Sequence, residues 1–193
     1  IFAFLNTQYT DERISTNSGK ASAVATYKKT DIASTSFYSA MYAPHVRISD
    51  VWNSREIIVG ADTKMIPGWL SVYNTQGYPY ACAGYRYGKI TGMKADWKIG
   101  PQSGEATTLN DASVNFIAYD PKEGAYIAWT QNTLQIANSA LRDIGVVLNV
   151  LDIKKTLATS LKEYLQLPIT DDLRTEIVDK ISRYMDGVQS ANR

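Results

Sequence analysis

The chain has 193 residues, of which 45% are hydrophobic and 20% charged, so it has enough apolar residues for a folded domain and too many for a disordered chain. Its 20 Lys and Arg residues are balanced by 19 Asp and Glu residues, and the net charge of +1 gives no general attraction to nucleic acid or to an anionic membrane. One cysteine and one histidine cannot supply an internal disulfide or a standard structural zinc site. The apolar runs fall far below the ~20 residues of a membrane-spanning helix.

The first part of the chain predicts a strand, a helix and an extended segment. Ile1–Leu5 is typical of a buried strand or the end of one, and apolar residues at helical spacing predict a short helix over residues 18–29. The stretch Phe37–Ile48 is rich in Tyr, Met and Val, which predicts an extended segment. Pro44 lies within it and cannot donate to a sheet ladder, so we expect an edge or a bend there rather than a central strand.

The middle of the chain is less regular. Ile57–Val59 is typical of a strand, whereas the apolar spacing that follows allows a helix interrupted by Pro67-Gly68. Between Gly77 and Gly104, glycine and proline recur among Tyr, Trp and Lys residues. This composition predicts an ordered loop region with short strands.

Two β-rich runs follow, Val114–Tyr119 and Ala125–Trp129. The residues between them, Asp120–Gly124, are those that tight turns prefer. The pattern therefore predicts a β-hairpin.

Two helices are predicted at the C-terminal end. The first has Ser139 as its N-cap and stops at Pro168, and the second has Thr170 as its N-cap and Gly187 as its C-terminal stop. The apolar face of the second helix consists of residues three and four positions apart: Leu173, Ile177, Ile181, Tyr184, Met185 and Val188.

No group of residues predicts catalysis. His45 would need Cys82 or a serine beside it to act as a general base, and no nucleophile motif is present, so we interpret it as a surface or edge histidine. The phosphate-binding patterns G-x-G-x-x-G and the P-loop are absent from the sequence, and the carboxylates are scattered. We assign no catalytic, cofactor-binding or metal residue and predict that the chain is not an enzyme.

Two features of composition point to protein contacts. The chain has 13 Tyr against 4 Phe and 4 Trp, and tyrosine is enriched at interfaces, although half-buried strand tyrosines give the same count. The stretch Arg86–Lys98 carries Arg86, Lys89, Lys94 and Lys98 among aromatic residues, as single-strand nucleic-acid surfaces do. The neutral chain favours a solvated loop or the rim of a protein–protein interface instead.

Four stretches of this sequence resemble the contractile-tail sheath protein of bacteriophages, over nearly the whole chain. They are Ser36–Pro44, Ile57–Gly92, Leu109–Leu134 and the pair of C-terminal helices. The third is the most specific, because Leu-Asn, Val-Asn and a Gly-Ala-Tyr-Ile-Ala-Trp-Thr run follow one another in the family's order. Phe116 stands where the family usually has proline, and Gln131-Asn132 replaces a Gly-x-Arg-like pattern, as in a divergent member.

The resemblance implies an α/β fold with a mixed β-sheet flanked by helices and with two C-terminal helices. It implies that residues 36–193 form the sheath-type core domain, that residues 1–35 contribute the end of a preceding strand plus a short helix, and that residues 1–193 form one continuous folded unit. The chain begins at Ile1 and ends just past a helical pattern, so we expect a fragment that is monomeric in solution.

The resemblance also implies a function. The chain would be a structural subunit that assembles helically around the tail tube and contracts to drive the tube through the host envelope. Its partners would be neighbouring sheath subunits (through terminal arms that we expect to be missing here), the tail tube protein, and the baseplate and tail terminator proteins. No cofactor, nucleic acid or membrane is implied. The protein would belong to the virion tail and would be assembled in the host cytoplasm.

The expected contacts of a sheath subunit fall on specific residues. A tube or subunit interface is expected at Arg174, Lys180, Arg183, Arg86 and Lys89. The hairpin over Val114–Trp129 is expected to belong to the sheet that accepts a neighbour's arm. The alternative function is a saccharide- or receptor-binding module, or an enzyme, of a phage tail. A saccharide-binding module would use the loop from Tyr73 to Trp97, with Trp69 or Trp97 against the sugar.

Overall fold

The computed structural model describes residues 1–191. Contacts divide the chain into two compact units, Ile1–Val147 and Leu148–Arg193, which are described separately below. The division expected near residue 35 stays a prediction. Within the described residues no helix is both long and apolar enough to cross a membrane.

The first unit is built on a five-stranded mixed sheet with the strand order β1-β2-β6-β7-β5, and a separate hairpin is formed by β3 and β4. The strands are β1 (Ala3–Asn6), β2 (Ser39–Ala43), β3 (Val46–Asp50), β4 (Arg55–Val59), β5 (Lys89–Ile90), β6 (Asn115–Asp120) and β7 (Ala125–Ala128). The helices of the first unit are α1 (Asn17–Tyr27), α2 (Asp62–Gln76), α3 (Gly84–Tyr87) and α4 (Gly104–Asp111). Helix α5 (Ile144–Ser160) begins in the first unit and lies mostly in the second, which also contains α6 (Asp171–Ser190). The mixed sheet flanked by helices confirms the expected fold class.

The predicted helix over residues 18–29 is confirmed as α1. The hydroxyl of Thr16 caps it by accepting the backbone N–H of Gly19 at 3.3 Å. The chain continues in a π-helical turn over Lys28–Ile32 and leaves it at Ala33, whose φ of 46° lies in the left-handed region.

Pro44 lies at a bend between two strands, which confirms the expected bend, although β2 just before it is an inner strand of the main sheet. It follows a cis peptide bond between β2 and β3, and β2 belongs to the main sheet while β3 pairs with β4 in the separate hairpin. Both interpretations of residues 55–75 are correct for part of that segment, because β4 is followed by α2. The helix runs through Pro67 without a break, so the expected interruption there is wrong.

The core of the first unit lies between the sheet and the pair α1 and α4. Its members are apolar and buried: Ala21, Val24, Met41, Ala43, Trp97, Ile99, Ala106, Leu109, Val114, Phe116, Ala118 and Leu134. A core of this size and composition stabilises the fold through removal of apolar surface from water.

The predicted hairpin is confirmed as β6 and β7, whose residues pair in antiparallel register from Ile117 with Ala128 to Asp120 with Ala125. The hairpin is not an edge of the sheet, however. β2 pairs with β6 on one side, and β5 pairs with β7 on the other. The expectation that this hairpin accepts a neighbour's strand is therefore wrong, because the chain's own strands already take its backbone hydrogen bonds.

The helix α5 begins four residues later than predicted. The carboxylate of Asp143 accepts the backbone N–H groups of Gly145 at 2.7 Å and Val146 at 3.2 Å, so Asp143 caps the helix in place of Ser139. A 3-10 turn over Ala140–Arg142 lies between the two candidate caps. The helix ends at Ser160, well before Pro168, and therefore does not depend on that proline to stop it.

In the second unit, Thr170 caps α6 as predicted, accepting the N–H of Leu173 at 3.2 Å. The helix passes through Gly187 and ends at Ser190, so the expected stop at Gly187 is wrong. The predicted apolar face is the less exposed side of α6, with Val188 buried, whereas Met185 is exposed.

Candidate interaction surfaces

The three cations expected on α6 are in different environments. Arg174 and Asp171 form an exposed ion pair at 3.5 Å, and the Nε of Arg183 donates to the carbonyl oxygen of Asp179 at 3.3 Å. Lys180 is held within the second unit, where its ammonium binds Glu163 and donates to the carbonyl of Ser160 at 3.1 Å. The Glu163 carboxylate raises the pKa of Lys180. Arg174 and Arg183 are thus exposed with only local contacts, Lys180 is partly exposed and paired within the second unit, and the expected role of all three at an interface stays a prediction.

A shallow cavity of about 320 Å³ lies beside these residues, lined by Glu163, Tyr164, Glu176, Lys180 and Arg183. The hydroxyl of Tyr164 donates to Glu176 at 3.0 Å, and the Lys180 ammonium lies 5.1 Å from the centre of the Tyr164 ring. These contacts fasten the turn after α5 to α6 within the second unit. We therefore interpret these contacts as stabilising the second unit.

Arg86 and Lys89 lie at the end of the main sheet that β5 forms. The Arg86 guanidinium lies 5.0 Å from the centre of the Tyr87 ring, and Lys89 forms an ion pair with Glu123 at 2.7 Å. Their role at a subunit or tube interface stays a prediction.

The rest of the basic stretch also has partners. Lys94 forms an ion pair with Glu56 at 2.7 Å, and the ammonium of Lys98 lies 4.4 Å from the centre of the Tyr119 ring. A row of cations that are each matched to a carboxylate or an aromatic ring is typical of a charge-balanced protein surface rather than of a groove that follows a phosphate backbone.

The two tryptophans of the saccharide hypothesis are inside the protein. Trp97 is 2% exposed and Trp69 is 6% exposed. The indole N–H of Trp69 donates to the hydroxyl of Tyr42 at 3.3 Å, and burial raises the pKa of that tyrosine. Neither ring is available to stack on a sugar, so this part of the alternative hypothesis is wrong.

His45 and Cys82 each have structural partners. The Nδ1 of His45 lies 3.0 Å from a carboxylate oxygen of the buried residue Glu12, which also receives the hydroxyl proton of Thr7. The Cys82 thiol is buried and donates to the carbonyl oxygen of Tyr87 at 3.7 Å, and burial raises its pKa to about 11. The structure does not pair the histidine with the thiol, and a thiol with this pKa is a poor nucleophile near neutrality.

Within residues 1–191 no group of three or more His, Cys, Asp or Glu side chains is placed to hold a metal ion.

Sequence analysis missed the most exposed aromatic residue. Trp52 is 96% exposed and its neighbour Val51 is 83% exposed, and both lie in the turn between β3 and β4. The signal was present as an apolar pair within the polar turn Asp50-Val51-Trp52-Asn53-Ser54. Residues 51–54 belong to no predicted helix or strand, so the sequence pattern does not single them out.

Hydrogen bonds to the Asp50 carboxylate stabilise this turn. The Asp50 carboxylate accepts the backbone N–H groups of Trp52 at 3.2 Å and Asn53 at 3.3 Å, and it accepts the Asn53 side-chain amide at 2.6 Å. These bonds lower the pKa of Asp50. The structure thus places an exposed tryptophan in a hydrogen-bonded turn at the tip of a hairpin.

The base of the same hairpin is joined to the loop after β5. Arg47 of β3 donates two hydrogen bonds to Asp96, at 2.7 and 2.6 Å, and exchanges backbone hydrogen bonds with Lys94 at 2.7 and 3.0 Å. Bidentate arginine–carboxylate pairs fix geometry as well as contributing energy. The hairpin therefore projects from the first unit as a fixed part of it.

No known protein family and no curated protein match the chain at the level of sequence. Solved structures do match its fold. A sheath complex of the extracellular contractile injection system PVC, in its contracted state, has a TM-score of 0.73 and 17% identity over 98% of this chain. The baseplate of the anti-feeding prophage, 6-fold symmetrised, has a TM-score of 0.72 and 14% identity over 98%. The contracted helical sheath of the same prophage has a TM-score of 0.68 and 14% identity over 90%.

These matches establish that the chain has the fold found in the sheath and baseplate structures of contractile injection systems. The chain spans about half of the proteins that it matches, 45% of the prophage baseplate chain and 49% of the PVC sheath chain.

Proposed function

We propose that this chain is the core part of a structural subunit of a contractile tail sheath, which assembles helically around a tail tube. The observation that carries the proposal is the match of 98% of the chain to a contractile sheath at a TM-score of 0.73. The sequence motifs and the fold are two separate lines of support for this class of protein, because the identity to that sheath chain is only 17%.

The fold suits a subunit that moves as a body. Contraction of a helical lattice exchanges one set of contacts between subunits for another, and packed cores switch between discrete arrangements rather than deforming continuously. The buried core around Phe116 and Leu109 keeps the first unit intact while contacts on its surface change. The energy of contraction then comes from the difference between the two sets of surface contacts.

Neighbouring sheath subunits and the baseplate are the first partners of such a subunit, and the tail tube and tail terminator complete the assembly. If a neighbour's arm adds a strand here, it pairs with β1 or β5, because these are the outer strands of the five-stranded order. In the second unit, the exposed Arg174 and Arg183 are the candidates for contact with the tube. The subunit acts in the virion tail after assembly in the host cytoplasm.

A purely structural role fits the use of the chain's reactive side chains. His45 is engaged by Glu12, and the Cys82 thiol is buried with a raised pKa. No enzymatic step is needed for the proposed function, because contraction releases free energy stored in the lattice at assembly.

Electron microscopy of the full-length gene product tests the proposal. We expect tubular sheaths, or rings that stack into tubes, when the protein is concentrated with or without tail tubes. The matched control is the same product with Phe116→Ala, in which core packing is lost and tubes should fail to form. A well-folded product that stays dispersed at high concentration, alone and with tubes and baseplates, would overturn the proposal.

A further inference from the structure

A cavity of about 320 Å³ lies at the base of the hairpin of β3 and β4, within the first unit. Its walls include the 3-10 turn over Asp11–Arg13, the first turn of α1, the start of β3 and the loop after β5. The charged side chains that line it are Glu12, Arg13, Lys20, Arg47 and Asp96. With His45 counted as neutral, three basic side chains face two carboxylates, so the lining has one net positive charge.

Both carboxylates at this cavity already have partners. Glu12 accepts hydrogen bonds from Thr7 and from the His45 backbone, and Asp96 accepts two from Arg47 at 2.7 and 2.6 Å. The hydrogen bonds from Arg47 and, in smaller part, the charge of Lys20 lower the pKa of Asp96. The surroundings of the cavity therefore favour the ionised form of a carboxyl group.

Two of the basic side chains have no counter-charge. Within residues 1–191, neither Arg13 nor Lys20 lies at ion-pairing distance from a carboxylate. Arg13 is exposed and its guanidinium lies 6.0 Å from the centre of the Tyr9 ring, whereas Lys20 is half-buried and its ammonium lies 5.9 Å from the centre of the Trp97 ring. Guanidinium and ammonium groups only donate hydrogen bonds. Both groups are therefore complementary to an acceptor that carries negative charge.

His45 lines the same cavity, and only one of its ring nitrogens is engaged. Its side chain is 14% exposed, and its ring partners within the described residues, Glu12 at 3.0 Å and Thr7 at 3.5 Å, both lie at Nδ1. An ionised carboxylate only accepts, so Glu12 holds the hydrogen of the neutral ring on Nδ1 and leaves Nε2 for another contact. When the ring takes up a proton, Nε2 becomes a donor, and a bound anion favours that form.

We propose that this cavity binds a carboxylate group, held by Arg13, Lys20 and the Nε2 of His45. A carboxylate carries one negative charge, which matches the net charge of the lining. A phosphate ester carries roughly −1.5 to −2 near neutrality and would leave an excess of negative charge beside Glu12 and Asp96. A free small carboxylate and an Asp or Glu side chain of another polypeptide both supply the group. Binding of either kind does not require that the chain be a sheath subunit.

The chain has a single histidine, so an NMR titration reports on this cavity directly. The full chain without a histidine tag gives one histidine Cε1–H signal, which is followed during addition of propionate, the acid that ends like a Glu side chain. Chloride keeps the ionic strength constant. We expect a saturable displacement of the His45 signal. The peptide acetyl-Gly-Glu-Gly-amide is titrated in the same way: tighter binding of the peptide assigns the site to an acidic side chain, and equal or tighter binding of propionate assigns it to a free carboxylate.

Lys20→Met and Arg13→Gln should each weaken propionate binding about tenfold or more, because each removes a charged hydrogen-bond donor. The matched controls are Lys29→Met, an exposed lysine in the π-helical turn after α1, and Arg86→Gln, whose guanidinium also lies near a tyrosine ring. Both controls should keep the affinity of the unaltered chain. Three outcomes would overturn the inference: no saturable displacement of the His45 signal, tighter binding of inorganic phosphate than of propionate, or equal weakening by the control variants.

Discussion

Glu12 holds His45 from two directions. One carboxylate oxygen lies 3.0 Å from Nδ1 of the His45 ring, and the other accepts the His45 backbone N–H at 2.8 Å. The Glu12 side chain is only 4% exposed, and His45 directly follows the Pro44 bend between the main sheet and the projecting hairpin. The pair therefore fixes the point at which the chain leaves the sheet for the hairpin.

Replacement of Glu12 should destabilise the first unit. Glu12→Ala leaves the His45 N–H, the imidazole and the Thr7 hydroxyl without their buried acceptor, and breaking a buried polar pair typically costs about 3–5 kcal/mol. Urea unfolding followed by circular dichroism measures the change. Glu123→Ala, which removes an exposed carboxylate paired with Lys89, is the control and should change stability little. Equal stability of the two variants would contradict the structural role of Glu12.

Phe116 should be essential for the core although the resembling family usually has proline there. Its side chain is 1% exposed, and its backbone N–H donates to the Thr130 hydroxyl at 3.2 Å. Phe116→Ala should lower the free energy of unfolding by about 3–5 kcal/mol through loss of packing. Phe116→Pro should lower the free energy of unfolding further, because proline has no backbone N–H to donate to the Thr130 hydroxyl. Leu70→Ala on the exposed side of α2 is the control, and thermal unfolding gives the comparison.

Local chemistry explains which elements the sequence could predict. The Asp120–Gly124 turn and the Thr170 cap depend on neighbouring residues alone, and both are confirmed. The place of the hairpin inside the sheet could not be predicted, because it depends on pairing between Tyr42 and Asn115, which are far apart in the chain.

The errors at helix ends have a similar cause. Ser139 and Asp143 are both good N-cap residues, and only the tertiary position of the 3-10 turn between them decides that Asp143 caps α5. Gly187 keeps a helical conformation, and its carbonyl oxygen accepts the backbone N–H of Ala191 at 3.1 Å, so α6 continues through a glycine that the pattern alone marks as a stop. Among the site residues, the engagement of Lys180 by Glu163 again depends on contacts that the sequence pattern does not contain.

The Cys82 thiol should be almost inert at pH 8 in the folded protein. Burial raises its pKa from an ordinary value of 9.0 to about 11, so the folded state keeps the proton that the unfolded state loses between these values. Stability should therefore fall as the pH rises from about 9 towards 11, because the unfolded state binds fewer protons there. Labelling with a thiol reagent, with and without urea, measures the protection.

A variant with an exposed thiol calibrates that experiment. Trp52→Cys in a Cys82→Ala background should react rapidly at pH 8, because position 52 lies at the exposed hairpin tip. Comparable rates for the two thiols in native protein would show that Cys82 is not buried as the structure describes.

Charge reversal on α6 should weaken attachment of the sheath to the tube. Arg174 and Arg183 are exposed and are held only by local contacts, whereas Lys180 is tied to Glu163 and its replacement would disturb the second unit. We therefore expect Arg174→Glu combined with Arg183→Glu to leave folding unchanged and to lower the fraction of sheath that co-sediments with tubes. Assembly with purified tubes across a salt series measures it, since screening should weaken the wild-type contact in the same direction.

The control is Lys154→Glu combined with Lys155→Glu on α5, which makes the same change in net charge at exposed positions. A general effect of charge on assembly would lower tube binding equally in both double variants. A specific contact by α6 would lower it only in the arginine variant. Exposed ion pairs are individually weak, so one arginine contributes little to the attachment. Repetition of the same contact along a tube would hold an extended sheath until the lattice contracts. Unchanged tube binding and unchanged salt sensitivity in the arginine variant would remove α6 from the tube interface.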